Sequence, residues 1–322
     1  MPPQTTATQK SSQKLPANPG ETITKLVAGI GNIILGKGDI IRLALSCLLA
    51  RGHLLIEDLP GMGKTTLAQG LARALGLEFQ RIQFTSDLLP ADIIGVSIYE
   101  REAQTFRFHP GPVFSQVVLA DEINRATPRA QSALLEAMEE RQVTVEGTTH
   151  AVPEPFFVIA TQNPSNQTGT FELPESQLDR FLMCVHMGYP DHHAERALLT
   201  GGDRREQLAS IRPLLTPAEL VALQARIPNV HASAALVDYV QALLRFSREA
   251  PGFRLGLSPR AGLGLLRCAQ AWALIDGRNH VLPEDVQAVL PSVAGHRLQG
   301  AEDSTQISQQ ELLARLRAVP IP

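Results

Sequence analysis

Short apolar runs alternate with segments of helical periodicity through the first part of the chain. Three runs are strong and a fourth is weaker, and they cover residues 53–58, 117–121, 156–161 and 181–187. Unbroken apolar runs of this length suit strands that are buried on both faces, as in a parallel sheet covered by helices. Between the second and third runs, Ala130, Leu134 and Met138 recur at helical spacing and predict a helix over 127–141. The pattern therefore predicts an α/β fold, with a parallel sheet between layers of helices.

After residue 190 the pattern changes to helices with polar connectors. Thr216 is a capping residue, Pro217 suits a first helical position and Glu219 can cap in return, so a helix start is well marked. Three further helices are predicted: one over 234–248, one with a buried stripe of Leu263, Leu266 and Trp272, and one that opens at Pro283. This half of the chain is predicted to be a small all-helical domain.

The N-terminal segment differs from both halves. Residues 1–20 are rich in Pro, Gln, Ser and Thr and carry too little apolar surface to pack, which predicts a disordered tail. The predicted organisation is therefore a tail over 1–20, an α/β domain over 21–190 and a helical domain over 191–322.

Composition limits the class of protein. The chain has 322 residues, which is long enough for two packed domains. Its residues are 44% hydrophobic and 19% charged, an ordinary composition for a globular protein. The net charge of −3 argues against a dominant electrostatic grip on nucleic acid. No apolar run approaches the ~18 residues of a membrane helix, and the N-terminus lacks a signal-peptide pattern. These features predict a soluble, cytoplasmic protein.

Cysteine and histidine give no metal-binding pattern by spacing. Cys47, Cys184 and Cys268 lie far apart among apolar residues, and we interpret them as small buried hydrophobes in a reducing compartment. Four histidines in different contexts also lack ligand spacing and are interpreted as structural or surface residues: His109, His186, His192 and His193.

The first apolar run leads into a glycine-rich loop and a helix start. The loop and helix start consist of Pro60, Gly61, Met62, Gly63, Lys64, Thr65 and Thr66. Glycines let backbone N–H groups turn toward phosphate oxygens, and a helix N-terminus adds partial positive charge. Lys64 is a cation for the β- and γ-phosphates, and Thr65 offers a hydroxyl to Mg²⁺. The alternative is a glycine-rich turn before an ordinary helix. One departure is Asp58, which stands where the general phosphate-loop pattern has its first glycine.

Two adjacent carboxylates end the second run. Asp121 at the strand end is placed to hold Mg²⁺ through its water shell, and Glu122 to orient and deprotonate an attacking water. Strands often end in solvated acids, so the pair alone is a weak signal. Its position 57 residues after Lys64 makes the signal strong.

Three further polar residues are candidates for the same chemistry. Asn163 ends the third run at the edge where ligands of open α/β sheets bind, although a turn-forming Asn-Pro pair is the alternative. Arg180 precedes the fourth run and could stabilise charge on a transferred phosphoryl group, or serve as an interface or surface residue. Arg260 lies in the first turn of a predicted helix, where the dipole disfavours a cation, and could reach back to the nucleotide through domain closure.

The motifs resemble, in order, those of the MoxR family of AAA+ ATPases. The resemblance rests on residues 60–65, 120–126, 131–140 and 178–181, and it spans roughly residues 25–300. It implies an αβα P-loop domain followed by a small helical lid, and hydrolysis of ATP with Mg²⁺. By resemblance, Lys64 and Thr65 are Walker A, Asp121 and Glu122 are Walker B, Asn163 is sensor 1, Arg180 is the arginine finger and Arg260 is sensor 2. The family commonly has Glu-Asp before its phosphate loop, so Asp58 is similar to it.

The resemblance also implies partners. Members form rings, usually hexamers, with nucleotide between subunits, and look like chaperone-type machines that mature or activate protein complexes. A separate partner with a von Willebrand factor A domain is often involved. By analogy, residues 34–36 (Ile34, Leu35 and Gly36) pack near the base. Two predicted hairpins, over 98–108 and 142–152, are candidate client contacts or simple surface decoration.

Two other functions stay open at this point. A nucleic-acid motor or loader is a rival, but residues 99–109 hold Arg101 and Arg107 together with Glu100 and Glu102, which suits phosphate tracking poorly. A nucleotide-gated scaffold with little turnover is the other rival, and the presence of Glu122 and Arg180 argues against it.

Overall fold

The computed structural model describes residues 19–163, 170–171, 173–201, 204–301 and 307–321. Residues 1–18 of the predicted tail lie outside the described part of the chain. The last two residues of that predicted tail are helical, because the first helix already begins at residue 19.

The strands supply the parallel sheet and three antiparallel pairs. They are β1 (Leu54–Glu57), β2 (Phe79–Gln83), β3 (Gly95–Glu100), β4 (Thr105–Pro110), β5 (Val117–Asp121), β6 (Gln142–Val145), β7 (Thr148–Ala151), β8 (Phe157–Gln162), β9 (Met183–Val185), β10 (Phe253–Leu255) and β11 (Gln299–Gly300).

The helices surround the sheet and form the C-terminal region. They are α1 (Pro19–Gly31), α2 (Gly38–Leu49), α3 (Lys64–Ala74), α4 (Pro90–Ile94), α5 (Pro128–Glu140), α6 (Glu175–Leu178), α7 (His192–Thr200), α8 (Arg204–Ala209), α9 (Pro217–Arg226), α10 (Ala234–Glu249), α11 (Pro259–Ile275), α12 (Pro283–Ala294) and α13 (Gln309–Arg317), with short 3₁₀ turns at Pro112–Phe114, Ile123–Arg125, Ile227–Asn229 and Gly295–Arg297.

The main sheet has five parallel strands in the order β2-β5-β8-β1-β9. The four predicted strands are all present, and β5 has the predicted bounds. Strand β2 was not predicted, because only Ile82 is buried in this edge strand and its polar residues hide the apolar pattern. All five carboxyl ends meet at one edge of the sheet, which we call the carboxyl edge.

Apolar side chains fill both faces of the sheet. One cluster lies between the sheet and α5 and contains Leu55, Val118 and Leu134. The second cluster is one contiguous core, and its members range in sequence from Ile23 in α1 to Val319 after α13. The helical region therefore shares a core with α1, α2 and the sheet. The boundary predicted at residue 190 stays a prediction.

The predicted helices of the second half are present, with one correction. Thr216 and Glu219 form the predicted reciprocal cap at the start of α9. In α11 the predicted buried stripe is wrong, since Leu263 is 60% exposed and Leu266 and Trp272 are only partly buried. The buried positions include Leu265, Cys268, Ala269 and Leu274, because α11 is enclosed on most of its circumference.

Both predicted hairpins form. Strands β3 and β4 pair antiparallel over 95–110, and β6 and β7 pair over 142–151. Glu146 and Gly147 both have positive φ, at 50° and 80°, as a two-residue type I′ turn requires. The rings of Phe108 and His150 stack at 4.1 Å, so the two hairpins contact each other.

His53, just before β1, is a buried neutral histidine that makes stability depend on pH. Its Nδ1 accepts from the N–H of Val158 (3.0 Å), and its Nε2 faces the carbonyl oxygen of Met138 (3.3 Å). Burial is the main cause that lowers its pKa from 6.5 to about 3. The unfolded chain therefore takes up a proton first, and stability is lost as pH falls from 6.5 toward 3.

We expect the free energy of unfolding to fall by about 1.4 kcal/mol when the pH is lowered from 7.5 to 5.5, because His53 is protonated in the unfolded chain and stays neutral in the folded one. Urea unfolding at both pH values measures this difference. His53→Asn should lose that part of the pH dependence, while the exposed His192→Asn should keep it. An unchanged pH dependence in His53→Asn would contradict the prediction.

Candidate functional site

The loop between β1 and α3 is an anion cradle at the carboxyl edge. Gly61 and Gly63 have φ of 84° and 88°, in the left-handed region that favours glycine. A Cβ at Gly61 would meet no atom within 4 Å, so the loop is open at this point. Helix α3 starts at Lys64 with Gly63 as its N-cap, which has no side chain to occupy the first N–H groups. Those groups are available to a phosphate.

Lys64 is held at the base of this cradle and is only 7% exposed. Its Nζ donates to the carbonyl oxygen of Asp58 (2.7 Å) and to Oδ1 of Asn163 (3.3 Å). Burial lowers its pKa, and the carboxylates of Asp121, Asp58 and Glu122 oppose that shift. The ammonium is thus preorganised beside three acidic groups.

The structure gives a physical reason for Asp58 in place of the usual glycine. Its Oδ1 accepts from the N–H of Leu59 (2.8 Å), and its Oδ2 accepts from the N–H of Gly188 (2.5 Å). Asp58 therefore fastens the phosphate loop to the segment that follows β9.

Asp121 lies at the end of β5 and is nearly buried, at 8% exposure. Its Oδ1 accepts from the hydroxyl of Thr161 (2.7 Å), and its Oδ2 accepts from Nε (3.0 Å) and Nη2 (2.7 Å) of Arg81. Sequence reasoning missed Thr161 and Arg81. The position of Thr161 one residue before the end of β8 was the available signal for it.

Glu122 adopts a left-handed backbone conformation, with φ of 58°, which is strained for a residue with a side chain. Its N–H donates to the hydroxyl of Thr161 (2.8 Å). Its Oε1 accepts from Nδ2 of Asn163 (2.9 Å), and its Oε2 accepts from Nε2 of Gln83 (3.0 Å) and pairs with Arg125 (3.1 Å). Gln83 and Arg125 were also missed by sequence reasoning.

Asn163 links the two halves of the site, since its amide contacts both Lys64 and Glu122. Its carbonyl oxygen accepts from Nδ2 of Asn124 (3.2 Å), and its side chain is buried. Pro164, the other residue of the Asn-Pro alternative, lies outside the described residues. The predicted residues of three strand ends are therefore joined in one hydrogen-bond network.

The donor set fits Mg²⁺ and a nucleotide. The Thr65 hydroxyl and the Asp121 carboxylate are hard oxygen donors of the kind that Mg²⁺ prefers. A Cβ added to Gly36 would lie 2.9 Å from Oδ2 of Asp191. A Cβ added to Gly63, in the loop itself, would lie 3.8 Å from the side chain of Met187. Met187 therefore lies beside the phosphate loop, and Gly36 lies beside Asp191 four residues further along. The predicted packing of residues 34–36 near the base stays a prediction.

Arg180 and Arg260 lie at the opposite edge of the sheet. Nε of Arg180 pairs with Oε2 of Glu139 (2.8 Å), and Nη1 of Arg260 pairs with Oε1 of the same carboxylate (2.8 Å). Glu139 is at the end of α5, next to the Met138 carbonyl that His53 contacts before β1. Strand β1 connects the two edges, with His53 just before it and Asp58 just after it. These residues are five positions apart and a strand rises about 3.3 Å per residue, so roughly 16 Å separates the two edges. In this arrangement Glu139 holds Arg260 beside Arg180. The approach of Arg260 to the nucleotide through domain closure stays a prediction.

This second edge contains a basic cavity of about 230 Å³. Its arginines are Arg51, Arg141, Arg180, Arg260, Arg267 and Arg297, against the acids Glu139 and Asp179. Burial and the neighbouring Arg51 lower the pKa of Arg141. The excess of guanidinium groups makes the cavity attractive to an anion.

The segment that carries Arg180 is anchored to the helical region. Arg297 is only 7% exposed and donates to Oδ1 of Asp179 (2.7 Å) and to the carbonyl oxygen of Phe181 (2.7 Å). Nε2 of His296 lies 3.1 Å from the same carbonyl oxygen. Sequence reasoning missed Arg297 and His296, which lie outside the predicted motifs. It assigned no role to Glu139, although this residue lies within the 131–140 motif.

The phosphate loop, the strand-end acids and the helical region together define a P-loop ATPase fold with a lid. Residues 53–183 match the family profile described as the ATPase family associated with various cellular activities (AAA). Residues 245–316 match the profile of the AAA lid domain.

Similar proteins narrow the class. The chain is 43% identical over 301 residues to the uncharacterized protein YeaC of Bacillus subtilis, covering 92% of this chain and 94% of that one. It is 39% identical to chaperone MoxR1 of Mycobacterium tuberculosis, covering 94% and 82%. A solved structure of a candidate ATPase from Cytophaga hutchinsonii superposes with a TM-score of 0.84 at 34% identity, covering 94% and 95%. The chain belongs to the MoxR family of AAA+ ATPases, and the fold expected from the resemblance is confirmed.

Within the described residues, none of the helices is both long and apolar enough to cross a bilayer.

Proposed function

We propose that the protein hydrolyses ATP with Mg²⁺ inside a ring of identical subunits and uses the energy to remodel a protein complex. The observation that carries the proposal is the division of the site between two edges of the sheet. Lys64, Asn163 and Glu122 form one network at the carboxyl edge, whereas Arg180 and Arg260 share Glu139 at the other edge.

The residues of the carboxyl edge support hydrolysis. The N–H groups at the start of α3 and the Lys64 ammonium would bind the phosphates. Glu122 would take a proton from the attacking water, and Asn163 would orient that water. Mg²⁺, held through Thr65 and Asp121, would neutralise charge on the β- and γ-phosphates.

The arginines support assembly. Arg180 lies at the opposite edge of the sheet from the phosphate loop of its own chain, and the strand estimate puts the two edges about 16 Å apart, so it would serve the nucleotide of a neighbouring subunit. Arg260, which shares the Glu139 carboxylate with it, would act at the same interface. The phosphates would then replace Glu139 as the anionic partner of both guanidinium groups. A ring, with six subunits as the resemblance implies, closes such head-to-tail contacts.

Remodelling of proteins is supported by the relatives and the hairpins. A relative at 39% identity is named a chaperone. The β3–β4 hairpin exposes Tyr99 (49%) and Phe106 (68%), whose rings contact each other at 5.3 Å, and such a patch suits a protein client. Arg107 pairs with Glu100 on this hairpin, which leaves little free positive charge for nucleic acid. The von Willebrand factor A partner remains part of the proposal by resemblance alone.

ATP turnover per subunit, measured with Mg²⁺ over a wide range of protein concentration, tests the proposal. We expect the specific activity to rise with concentration and then level off, because the site is complete only between subunits. Lys64→Ala is the background control, since it removes the phosphate-binding cation. A turnover that is independent of concentration would contradict the composite site, and no turnover at any concentration would favour a scaffold.

A further inference from the structure

A second cluster of ligating groups lies near the phosphate loop but outside the proposed ATP site. Ligand atoms of Glu57, Cys184 and His186 lie within 4.8 Å of one another. Leu55 of β1 pairs with Cys184 of β9, and Glu57 and His186 each follow two residues later. Because side chains alternate along strands, all three project from the same face of the sheet.

The histidine has the hydrogen bond that a ligating imidazole needs. Nδ1 of His186 lies 2.8 Å from the carbonyl oxygen of Glu57, which can only accept, so Nδ1 carries the proton. Nε2 therefore keeps its lone pair. An imidazole oriented in this way by a backbone carbonyl is typical of metal sites. His186 is exposed, which gives an ion a route of entry.

The carboxylate is also supported. Oε1 of Glu57 accepts from Nε2 of Gln162 on the neighbouring strand β8 (3.2 Å). Oε1 of Gln162 is buried and has no hydrogen-bond partner among the described residues. A buried acceptor without a partner is uncommon, and a water bound to an ion at Glu57 would supply the donor.

We propose that Glu57, Cys184 and His186 bind a divalent ion of the zinc class, with a water as the fourth ligand. A thiolate, an imidazole and a carboxylate are the three ligand types of Zn²⁺, and sulfur excludes Mg²⁺ as the preferred ion. Tetrahedral coordination at 2.0–2.3 Å sets ligand atoms about 3.3–3.8 Å apart, so the three side chains would draw closer together when the ion binds. The Cys184 thiol releases its proton to solvent when the ion binds.

The position of this site gives it a structural role beside the nucleotide. Glu57 directly precedes Asp58, and His186 lies two residues before Gly188, whose N–H bonds the Asp58 carboxylate. The ion would cross-link β1 to the edge strand β9 at the base of the phosphate loop. Sequence reasoning set Cys184 and His186 aside because the third ligand comes from a distant part of the chain.

Titration of the chelator-treated full-length protein with Co²⁺ in the absence of oxygen tests the proposal. We expect one equivalent of Co²⁺ to bind with a thiolate-to-cobalt charge-transfer band and tetrahedral d–d bands, and Zn²⁺ to abolish both. Excess Mg²⁺ should leave the bands unchanged, which separates this site from Thr65 and Asp121. The readout needs no ATP turnover, so it is independent of the proposed activity.

Variants assign the ligands. Cys184→Ala should lose the charge-transfer band, whereas the equally buried Cys268→Ala should keep it. His186→Ala changes an exposed side chain and should weaken Co²⁺ binding by more than the roughly 10–100-fold expected for an outer-shell partner. The proposal would be overturned if the wild type shows no saturable band. It would also be overturned if the band persists in Cys184→Ala and Co²⁺ binding is unchanged in His186→Ala.

Discussion

Glu122→Gln is expected to lower ATP turnover by roughly 10²–10⁴-fold, the usual contribution of a general base, while ATP remains bound. The amide keeps the shape of the side chain and can still contact Asn163 and Gln83, which hold the carboxylate in the native protein. It cannot accept the proton of the attacking water. Phosphate binding depends instead on Lys64 and the start of α3, which the substitution leaves in place.

The comparison needs turnover and binding measured on the same preparations. Steady-state phosphate release gives the first, and equilibrium binding of a fluorescent ATP analogue gives the second. Glu140→Gln is the matched control, because Glu140 is an exposed acid at the end of α5. Unchanged turnover in Glu122→Gln would show that the proposed general base is wrong.

Arg180→Ala is expected to lower turnover by about 10³–10⁵-fold, the range found for arginines that stabilise phosphoryl transfer from a neighbouring chain. ATP binding should be retained, since Arg180 lies at the opposite edge of the sheet from Lys64. The substitution also frees one oxygen of Glu139, but this pair is partly exposed and contributes little to stability. The loss should therefore appear in turnover, with the folded state preserved.

Mixed assemblies distinguish an arginine that acts between subunits from one that acts within its own chain. Arg180→Ala subunits keep the phosphate loop, and Lys64→Ala subunits keep the arginine. A mixture should regain activity that neither variant has alone, because some interfaces combine the intact Lys64 of one subunit with the intact Arg180 of another. The exposed Arg226→Ala serves as the control with full activity. If the mixture stays inactive, Arg180 does not act at an interface of this kind.

The fold was predictable from sequence wherever burial on both faces left a continuous apolar run. Strand β5 is buried at all five positions and was placed with its observed bounds. Strand β2 is buried at Ile82 alone, and its identity depends on hydrogen bonds to β5 that no local pattern reveals. In α11 the burial of Cys268 and Ala269 depends on contact with other helices, so a stripe inferred from the largest side chains fell on the wrong side.

The site was predictable where it is local in sequence. The Lys64 loop and the Asp121–Glu122 pair carry their chemistry in adjacent residues. Contacts between distant segments were not predictable, since Thr161 meets Asp121 only through the register of β5 and β8, and Glu139 meets Arg180 and Arg260 only through the path of α5. Contacts of this kind are set by the tertiary structure and leave no local signal in the sequence.

Arg297, whose side chain is only 7% exposed, has a mechanical consequence. It lies in the 3₁₀ turn after α12, and its guanidinium donates hydrogen bonds to backbone and side-chain oxygens of the short segment over 179–181. These hydrogen bonds couple the helical region to the segment that carries Arg180. In the proposed ring, a rotation of one subunit's helical region would displace the Arg180 guanidinium that it offers to the next subunit, and Arg297 would transmit that movement.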